Sequence, residues 1–263
     1  MTRVLVTGAS GRLGRAVVDV LAGQGYEVRA ASRAAARAAG NAGGNTGGPV
    51  RWVVADLVTG HGVAEAVDGV DAVVHLASAP YKGRYTAQVE IDGTHGLLRA
   101  AREAGVGHVL YVSVVGADRV PWGYYKVKLR GEEVVRAGGV PWTILRATQF
   151  HGFVEQGLAA LARPGFLVVD PEIPAQPVDV RDVAARLEGL LRLGPSRTVE
   201  EFGGPEVLTL GEAAETWLKA RGRRRPVLRL RLPGRLGRAF RAGHLVTAAR
   251  PTGTITWGEY LAQ

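Results

Sequence analysis

Apolar and polar positions alternate along the first half of the chain with two distinct periods. Short apolar runs predict buried strands at residues 4–6, 26–32, 50–55, 72–76, 107–113 and 140–145. Between them, apolar residues recur every three or four positions and predict helices at residues 14–23, 63–67, 86–104 and 124–137. Because strands that alternate with helices form parallel, doubly wound sheets, we expect an α/β fold of the Rossmann type.

The pattern changes after residue 146. We predict helices near residues 150–161, 180–191 and 210–220, short strands near 166–169 and 198–202, and then a basic tail. We therefore expect a dinucleotide-binding core over residues 1–146 and a smaller substrate lobe over residues 147–263, integrated with the core. Residues 40–48, a run rich in glycine and asparagine, predict a surface loop.

A glycine-rich turn follows the first predicted strand and opens the first helix. Its sequence over residues 7–14 is Thr-Gly-Ala-Ser-Gly-Arg-Leu-Gly. The first glycine permits a tight turn, the second lets the backbone approach a pyrophosphate, and the third lets the helix pack closely on the sheet. The helix start offers free N–H groups and the positive end of its dipole to phosphates. The residues expected to bind a dinucleotide here are Gly8, Ser10, Gly11, Arg12, Leu13 and Gly14.

The end of the second strand bears on the choice of cofactor. Proteins that bind NAD usually carry an acidic residue there, about 20 residues past the glycines, which holds the ribose 2′-hydroxyl. This chain has Ser32 and Arg33 instead. Because arginine binds phosphate through two parallel hydrogen bonds, Arg33 suits a 2′-phosphate, with Arg12 as a second candidate. We therefore expect NADP(H) in preference to NAD(H).

Two further strand ends complete the predicted cofactor site. Asp56 and Leu57 follow the third strand, at a position that reaches the adenine ring in this architecture. Ala77 and Ser78 follow the fourth strand, where small residues leave room for a ribose. Either pair is also compatible with an ordinary polar loop.

Composition narrows the class of protein. The chain contains no cysteine, which excludes disulfides, thiolate metal sites and a cysteine nucleophile. The six histidines show no metal-ligand spacing, so we expect no metal site. No stretch has the character of a signal peptide or a transmembrane helix, so we expect a cytoplasmic protein with no membrane partner.

The formal net charge is +9, and arginines cluster between residues 221 and 241. A basic surface of this kind is compatible with nucleic acid or with an acidic substrate or partner. Arginines that serve an NADP phosphate and a solvated face explain it as well. We expect a small-molecule substrate and no nucleic-acid partner, and the sequence leaves the oligomeric state open.

Several segments together resemble one protein family. The glycine turn, Asp56-Leu57, residues 75–77 and the stretch Tyr-Tyr-Lys-Val-Lys at residues 124–128 resemble the short-chain dehydrogenase/reductase superfamily. Residues 140–150, 178–184 and 256–261 narrow the resemblance to its atypical, NmrA-like NAD(P)-binding branch, which includes isoflavone-reductase-like enzymes. The resemblance implies a Rossmann fold with a small C-terminal lobe, a nicotinamide cofactor and often reductase activity. Some members of this branch are redox sensors or regulators without turnover.

The same resemblance indicates catalytic candidates. Tyr124 and Lys128 are four apart on a predicted helix and share a face, although an ordinary surface pair would have the same spacing. In the superfamily the tyrosine donates a proton to a carbonyl oxygen as hydride arrives, while the lysine lowers the tyrosine pKa and binds ribose hydroxyls. Ser113 is the candidate for the third member. Because Val-Val-Gly follows it where relatives carry more hydroxyls, Ser113 is equally compatible with a strand-end cap.

Aromatic and polar residues after the sixth strand are candidates for substrate contact. They are Gln149, Phe150, His151 and Phe153, with Trp122 and Tyr81 nearby. Such groups suit an apolar or aromatic substrate, and they are equally typical of a core. His151 is also an alternative proton donor, although a polar histidine at the edge of the pocket is the simpler interpretation.

Together these expectations describe an NADP(H)-dependent oxidoreductase acting on a carbonyl or activated double bond of a small organic molecule. The alternative is a non-catalytic NADP(H) sensor that regulates a partner, which the incomplete hydroxyl set after Ser113 keeps open. A sugar-nucleotide epimerase or dehydratase is a weaker third hypothesis, because it requires more hydroxyls near residue 113 and a larger C-terminal lobe.

Overall fold

Strands and helices alternate through most of the chain. The structure, a computed structural model, describes residues 1–33 and 50–263, so the predicted loop at residues 40–48 lies outside the described residues. The strands are β1 (Arg3–Thr7), β2 (Glu27–Ser32), β3 (Val50–Val54), β4 (Ala72–His75), β5 (His108–Val114), β6 (Trp142–Ala147), β7 (Leu167–Val169), β8 (Pro174–Ala175), β9 (Val199–Phe202), β10 (Leu208–Thr209) and β11 (Val227–Arg229). The helices are α1 (Arg12–Gly23), α2 (Val63–Val67), α3 (Arg84–Ala87), α4 (Thr94–Glu103), α5 (Gly123–Ala137), α6 (His151–Leu161), α7 (Val180–Leu193), α8 (Leu210–Ala220), α9 (Gly234–Arg241) and α10 (Trp257–Leu261), and a π-helical segment (Gln88–Gly93) joins α3 to α4.

Seven strands form the central sheet, in the order β3-β2-β1-β4-β5-β6-β9. β1 pairs in parallel with β2 on one side, where Val4 lies opposite Val28, and with β4 on the other, where Val4 lies opposite Ala72. The β2–β3 and β4–β5 pairs are also parallel. Because the chain order reverses at β1, the carboxyl ends of β1 and its two neighbours are where this architecture binds ligands. The arrangement confirms the predicted α/β fold of the Rossmann type.

One compact unit contains Met1–Ser113, Lys126–Leu145 and Ala184–Glu200, and is called unit 1 here. β1 and β4 are nearly continuous apolar runs, as expected for parallel strands that are covered on both faces. α1 buries Leu13, Val17 and Leu21, which recur at intervals of four residues and form one face of the helix. Burial of each such side chain stabilises the fold by about 2 kcal/mol relative to an exposed position.

The other compact unit, unit 2, contains Val114–Tyr125, Arg146–Val183 and Glu201–Gln263. Its main core includes Trp217 of α8 and Trp257 of α10, both fully buried. A smaller cluster surrounds Tyr125 and includes Ile173 and Leu245. The unit also contains two small sheets, antiparallel β8–β10 and parallel β7–β11.

The two units interleave along the chain, whereas the sequence predicts one boundary after residue 146. Most of α7 belongs to unit 1, where the Tyr26 hydroxyl donates a hydrogen bond to Glu188 Oε1 at 3.3 Å. The hydrophobic pattern of a helix shows which face is buried and does not show against which core. The division of the second half of the chain therefore could not be predicted from local patterns.

Two segments differ from the predicted elements. The helix predicted over residues 86–104 is divided by the π-helical segment, where a Cβ on Gly93 would lie 2.9 Å from the side chain of Leu57. The basic tail contains β11 and α9, while most of its residues are exposed. Four of its arginines form ion pairs with carboxylates, in the pairs Arg221–Glu155, Arg229–Glu215, Arg231–Glu172 and Arg241–Asp170.

Within residues 1–33 and 50–263, no helix combines the length and apolar character needed to cross a membrane. The same part of the chain contains no group of three or more histidine, aspartate or glutamate side chains arranged to hold a metal ion.

Candidate functional site

A groove of about 290 Å³ lies at the carboxyl ends of the first four strands of unit 1. This is the position in which Rossmann sheets bind their ligands. The predicted cofactor residues in its lining are Gly8, Ser10, Gly11, Ser32, Arg33, Asp56, Leu57, Ala77 and Ser78. The lining also contains Thr7 and Leu76, which belong to the predicted motifs, and five residues that no predicted motif includes, namely Ala31, Ala55, Val58, Ala79 and Val89.

Two glycines of the turn are required by the packing of the protein itself. Gly8 has a φ of 69°, and a Cβ there would lie 2.8 Å from the backbone nitrogen of Ala77. A Cβ on Gly14 would lie 2.2 Å from the carbonyl oxygen of Gly8. Gly11 has a φ of −74°, which any residue adopts, and a Cβ there would meet the Gly8 oxygen at 3.3 Å. The absence of a side chain at Gly11 therefore serves the open groove more than the fold.

The first turn of α1 is open to an anion. Gly11 is the N-cap residue, and among the described residues no side chain caps this turn. The turn contains no acidic residue, so the backbone N–H groups and the helix dipole present positive potential. Arg12 is exposed and Leu13 is buried, and neither side chain lines the groove. Only their backbone N–H groups belong to the open turn, which fits a pyrophosphate.

The end of β2 places one hydroxyl and one guanidinium at the groove. Ser32 is buried and Arg33 is exposed, and both line the groove. Arg33 donates a hydrogen bond to the hydroxyl of Tyr85, and its guanidinium carbon lies 5.7 Å from the centre of the Tyr85 ring. This contact with Tyr85 of α3 orders the Arg33 side chain, which would rotate freely if it were fully solvated.

Asp56 both closes a turn and lines the groove. Its Oδ1 accepts a hydrogen bond from the backbone N–H of Val58 at 2.8 Å, which closes an Asx turn after β3. The residue also lines the groove beside Leu57, whose side chain packs on the core of unit 1. Asp56 therefore shapes this wall of the groove through its turn.

A chain of hydrogen bonds connects the ends of β1 and β4. Thr94 Oγ1 donates to the Glu90 carbonyl at 2.8 Å and therefore accepts from His75 Nε2 at 2.9 Å. His75 Nδ1 is then the acceptor for the Thr7 hydroxyl at 2.7 Å, and Thr7 Oγ1 accepts the backbone N–H of Ala77 at 3.3 Å. Burial lowers the pKa of His75 to about 4, so the ring is neutral. Its hydrogen bond with Thr7 connects the glycine turn to β4.

Lys128 lies beneath the groove in a buried cluster with Glu90, Tyr111 and Ser78, which we call the Glu90 network. Lys128 Nζ donates to Glu90 Oε2 at 3.0 Å and to the Val112 carbonyl at 2.7 Å. The Tyr111 hydroxyl also donates to Glu90 Oε2, at 3.0 Å, and Ser78 Oγ donates to Glu90 Oε1. Lys128 is 4% exposed and Glu90 is fully buried.

Both charges of this network are stabilised by the pairing. Burial raises the pKa of Glu90, but the charge of Lys128 and the donated hydrogen bonds outweigh it and hold that pKa below its usual value. Burial lowers the pKa of Lys128, and Glu90 outweighs it, so the pKa of the ammonium is raised. The lysine is therefore charged and has Glu90 as its counter-ion.

The other catalytic candidates have separate surroundings. Ser113 is 4% exposed, and its hydroxyl donates to Glu132 Oε1 at 2.6 Å. Tyr124 packs in the aromatic cluster of unit 2, with its ring centre 6.2 Å from that of Tyr125. Tyr124 belongs to unit 2, whereas Ser113 and Lys128 belong to unit 1. The catalytic roles of Tyr124, Lys128 and Ser113, and the cofactor contact of Lys128, stay predictions.

His151 occupies the interior of unit 2. The residue is 1% exposed, and its ring centre lies 5.0 Å from that of Tyr260 and 5.6 Å from that of Trp257. Nδ1 lies 3.5 Å from Asp179 Oδ2. Burial lowers the pKa of His151, and Asp179 offsets only part of that effect. The neutral ring is surrounded mainly by aromatic side chains.

The remaining substrate candidates differ in exposure. Phe153 is 44% exposed, and Gln149 and Phe150 are half-buried. Neither side-chain amide atom of Gln149 has a hydrogen-bond partner in the part of the chain that the structure describes. Trp122 stacks on Tyr125 with ring centres 5.8 Å apart. The substrate roles of Gln149, Phe150, His151 and Phe153 stay predictions.

Sequence reasoning missed Tyr85, Glu90 and Thr94, although the sequence carries a signal for the last two. Glu90 and Thr94 stand four apart and precede the buried Leu97 by seven and three residues, so a helix places all three on one face. A carboxylate on a buried face requires a partner. Tyr85 contacts Arg33 from 52 residues away, which no local pattern indicates.

The fold and the groove define a dinucleotide-binding protein of the Rossmann type. The sequence profile of the NAD(P)H-binding family matches residues 8–186, which is more than half of the chain. The chain therefore belongs to the NAD(P)H-binding family, as the resemblance implied.

Curated relatives include oxidoreductases. The chain is 29% identical over 229 residues to the (4-alkanoyl-5-oxo-2,5-dihydrofuran-3-yl)methyl phosphate reductase of Streptomyces griseus, covering 84% of this chain and 74% of the reductase. It is 30% identical over 217 residues to the mitochondrial NADH-ubiquinone oxidoreductase 40 kDa subunit of Neurospora crassa. That match covers 80% of this chain and only 58% of the subunit.

A solved structure with the same fold contains bound NADPH. The NADPH-dependent quinone oxidoreductase of Escherichia coli in complex with NADPH superimposes with a TM-score of 0.79 at 21% identity, covering 98% of both chains. At this identity the likeness shows the shared fold alone.

Proposed function

We propose that the protein is an NADP(H)-dependent oxidoreductase that reduces a carbonyl or activated double bond of a small apolar or aromatic molecule. The observation that carries the proposal is the groove itself, with an uncapped helix start at its centre and Ser32 and Arg33 at the end of β2. The reductase relative, whose named activity belongs to that protein, supports the choice of reaction class.

The preference for NADP(H) rests on Arg33. Its guanidinium stacks near Tyr85 at the rim of the groove, where the 2′-phosphate of a dinucleotide would accept two hydrogen bonds. We expect Arg33→Ala to raise the Kd of NADPH about tenfold and to leave that of NADH within about twofold. Arg15 is an exposed arginine of α1 that does not line the groove. Arg15→Ala is therefore the matched control and should change neither Kd. Tighter binding of NADH than of NADPH by the parent protein would contradict the preference.

When bound, the dinucleotide supplies the hydride, and a side chain must supply the proton. We propose the Tyr124 hydroxyl as the donor to the substrate oxygen, which leaves a phenolate that regains a proton from solvent. Apolar and aromatic side chains near residues 149–153 support an apolar substrate. Tyr124→Phe should lower kcat by about a hundredfold with a quinone or aromatic carbonyl and leave the Kd of NADPH unchanged.

The turnover assay also separates this proposal from a sensor role. NADPH consumption with at least one compound from a panel of quinones, aldehydes and enones supports a reductase. Tight NADPH binding without consumption across that panel contradicts the oxidoreductase assignment and favours the sensor. Full activity of Tyr124→Phe removes the proton-donor role alone.

A further inference from the structure

The Glu90 network reaches the surface of the groove at one atom. Ser78 Oγ belongs to the lining, and its hydroxyl proton is donated to Glu90 Oε1. A hydroxyl has one proton, so toward a ligand this oxygen acts as a hydrogen-bond acceptor. A serine left to rotate would act as donor or acceptor in turn. Glu90 therefore sets the polarity of Ser78.

The rest of the network keeps Glu90 in place. Its second oxygen, Oε2, accepts from Lys128 Nζ and from the Tyr111 hydroxyl, each at 3.0 Å. Lys128 is itself held by the Val112 carbonyl at 2.7 Å and lies 4.3 Å from the centre of the Tyr111 ring. The carboxylate of Glu90 is fully buried, and its Oε2 accepts two hydrogen bonds. Its other oxygen, Oε1, therefore has little freedom to move.

Sheet order indicates which half of a dinucleotide meets Ser78. The pyrophosphate belongs at the start of α1, after the central strand β1. The adenosine half extends over β2 and β3, on the side of Ser32 and Arg33. β4 lies on the opposite side of β1, so Ser78 lies on the side of the nicotinamide half. That half offers donors, namely ribose hydroxyls and the carboxamide NH₂.

We propose that Glu90 is a positioning residue for the cofactor, which fixes Ser78 Oγ as a hydrogen-bond acceptor for a donor on the nicotinamide half of the bound dinucleotide. In this arrangement Lys128 acts through Glu90, as its counter-ion, in place of the ribose contact that the family resemblance implies. The inference rests on the proposed function, because it requires a nicotinamide dinucleotide in the groove.

The first measurement is calorimetric binding of two ligands to the parent protein and to Ser78→Ala. NADPH contains both halves, whereas adenosine 2′,5′-bisphosphate contains only the adenosine half with its 2′-phosphate. Loss of one hydrogen bond should raise the Kd of NADPH about tenfold. The Kd of the bisphosphate should stay within about twofold, because it carries no nicotinamide riboside. An unchanged NADPH Kd would overturn the contact.

The second measurement tests whether Glu90 acts through Ser78. The triple substitution Glu90→Met, Lys128→Met and Tyr111→Phe replaces the buried ionic groups by apolar side chains of similar volume. We expect it to raise the Kd of NADPH about tenfold and to leave that of the bisphosphate unchanged. Addition of Ser78→Ala to this variant should cause a much smaller further loss than the same substitution causes in the parent protein, because a Ser78 hydroxyl that rotates is an acceptor only part of the time.

The opposite result distinguishes a direct role for Lys128. If Lys128 touched the cofactor, the two effects would multiply to about a hundredfold, and the inference would be wrong. An equal loss for NADPH and the bisphosphate would indicate general damage to the groove and would also overturn it. Should the triple variant not fold, Glu90→Asp keeps the charge beside Lys128 but shortens the reach to Ser78, and the same non-additivity with Ser78→Ala is expected.

A buried carboxylate outside the groove provides the matched control. Glu132 accepts from Ser113 and from Arg136, is fully buried and belongs to unit 1. Glu132→Gln should lower the thermal stability and leave the Kd of NADPH within about twofold. Failure of the parent protein to bind NADPH or NADH would refute the proposed function. Normal binding with additive effects of Ser78 and Glu90 would refute this inference alone.

Discussion

Two helices of unit 2 and the first helix of unit 1 begin in opposite ways. In unit 2, α8 and α10 begin with full capping boxes. The Thr209 hydroxyl accepts the Glu212 N–H at 3.1 Å, the Glu212 carboxylate accepts the Thr209 N–H at 2.7 Å, and Thr256 and Glu259 repeat the pair in α10. In unit 1, Gly11 is the N-cap residue of α1, and no side chain among the described residues caps this helix.

The difference separates a structural helix start from a ligand-binding one. Each helix begins with N–H groups that lack intrahelical partners. A threonine at the N-cap satisfies one of them and stabilises the helix by about 1 kcal/mol. α1 forgoes this stabilisation at the point where the groove needs donors for a pyrophosphate. Because α6 and α9 also begin without a side-chain cap among the described residues, a missing cap alone does not identify a ligand site. At α1 the open start lies in the groove, where it fits a bound anion.

The largest expected effect comes from giving α1 a cap of its own. In Gly11→Asp the carboxylate would accept the free N–H groups of the first turn and face the pyrophosphate with a negative charge. Because Gly11 has ordinary φ and ψ, we expect the ligand-free protein to gain about 0.5 kcal/mol of stability. The Kd of NADPH should rise at least about a hundredfold. Calorimetry and urea unfolding measure the two quantities.

Gly11→Ala separates charge from bulk in this experiment. Its Cβ would lie 3.3 Å from the Gly8 oxygen, so a smaller loss of affinity is expected than for the aspartate. Parent-like NADPH binding by Gly11→Asp would show that the uncapped start has no part in the site.

The contrast between the units also shows what the sequence could predict. Gly8 and Gly14 act through the backbone within a single turn, and their spacing alone identified them. Ser32 and Arg33 could be predicted because a parallel sheet brings its strand ends to one edge. Local order was sufficient for this part of the groove.

Residues that act through distant partners could not be predicted in the same way. Lys128 has the expected helical spacing from Tyr124, but its charge is balanced by Glu90, 38 residues earlier. Histidine is common in ligand pockets, which is why the sequence made His151 a candidate. The structure buries it against Trp257 and Tyr260 of the last helix. Only the assembled fold specifies these pairings.

We expect the stability of the protein to fall in acid through His75, which is hydrogen-bonded to Thr7 at the end of β1. Its pKa is lowered to about 4, chiefly by burial, while Glu90 and Lys128 act on it in opposite directions. The unfolded chain binds the proton near pH 6.5 and the folded chain only near pH 4. This contribution to stability is therefore fully present above the unfolded pKa and is lost as the pH falls, by about 1.5 kcal/mol between pH 6.5 and 5.

Urea unfolding across this pH range measures the contribution of His75. His75→Gln should flatten the slope by about 1.4 kcal/mol per pH unit, leaving the part that His108 and His151 contribute through their own lowered pKa values. His61→Gln, at an exposed position, is the matched substitution for comparison. A parent-like slope in His75→Gln would show that another group titrates.

The capping boxes of unit 2 should have a smaller effect, confined to stability. Thr209→Ala and Thr256→Ala each remove a side-chain acceptor from a helix start, so each should cost about 1 kcal/mol of unfolding free energy. Neither should change the Kd of NADPH, since both residues lie outside the groove. Weaker NADPH binding in either variant would show that helix caps and ligand binding are not separable in this protein.

The smallest expected effect concerns the other end of α1. A Cβ on Gly23 would meet no atom within 4 Å, and Gly25, with a φ of 83°, already supplies the left-handed position that ends the helix. Gly23→Ala should therefore stabilise the protein by about 0.5 kcal/mol, because alanine restricts the unfolded chain and favours the helix. The Kd of NADPH should not change. Gly11→Asp and Gly23→Ala thus compare, within one helix, a glycine kept for a ligand with a glycine that neither the ligand nor the fold requires. Destabilisation by Gly23→Ala would remove that contrast.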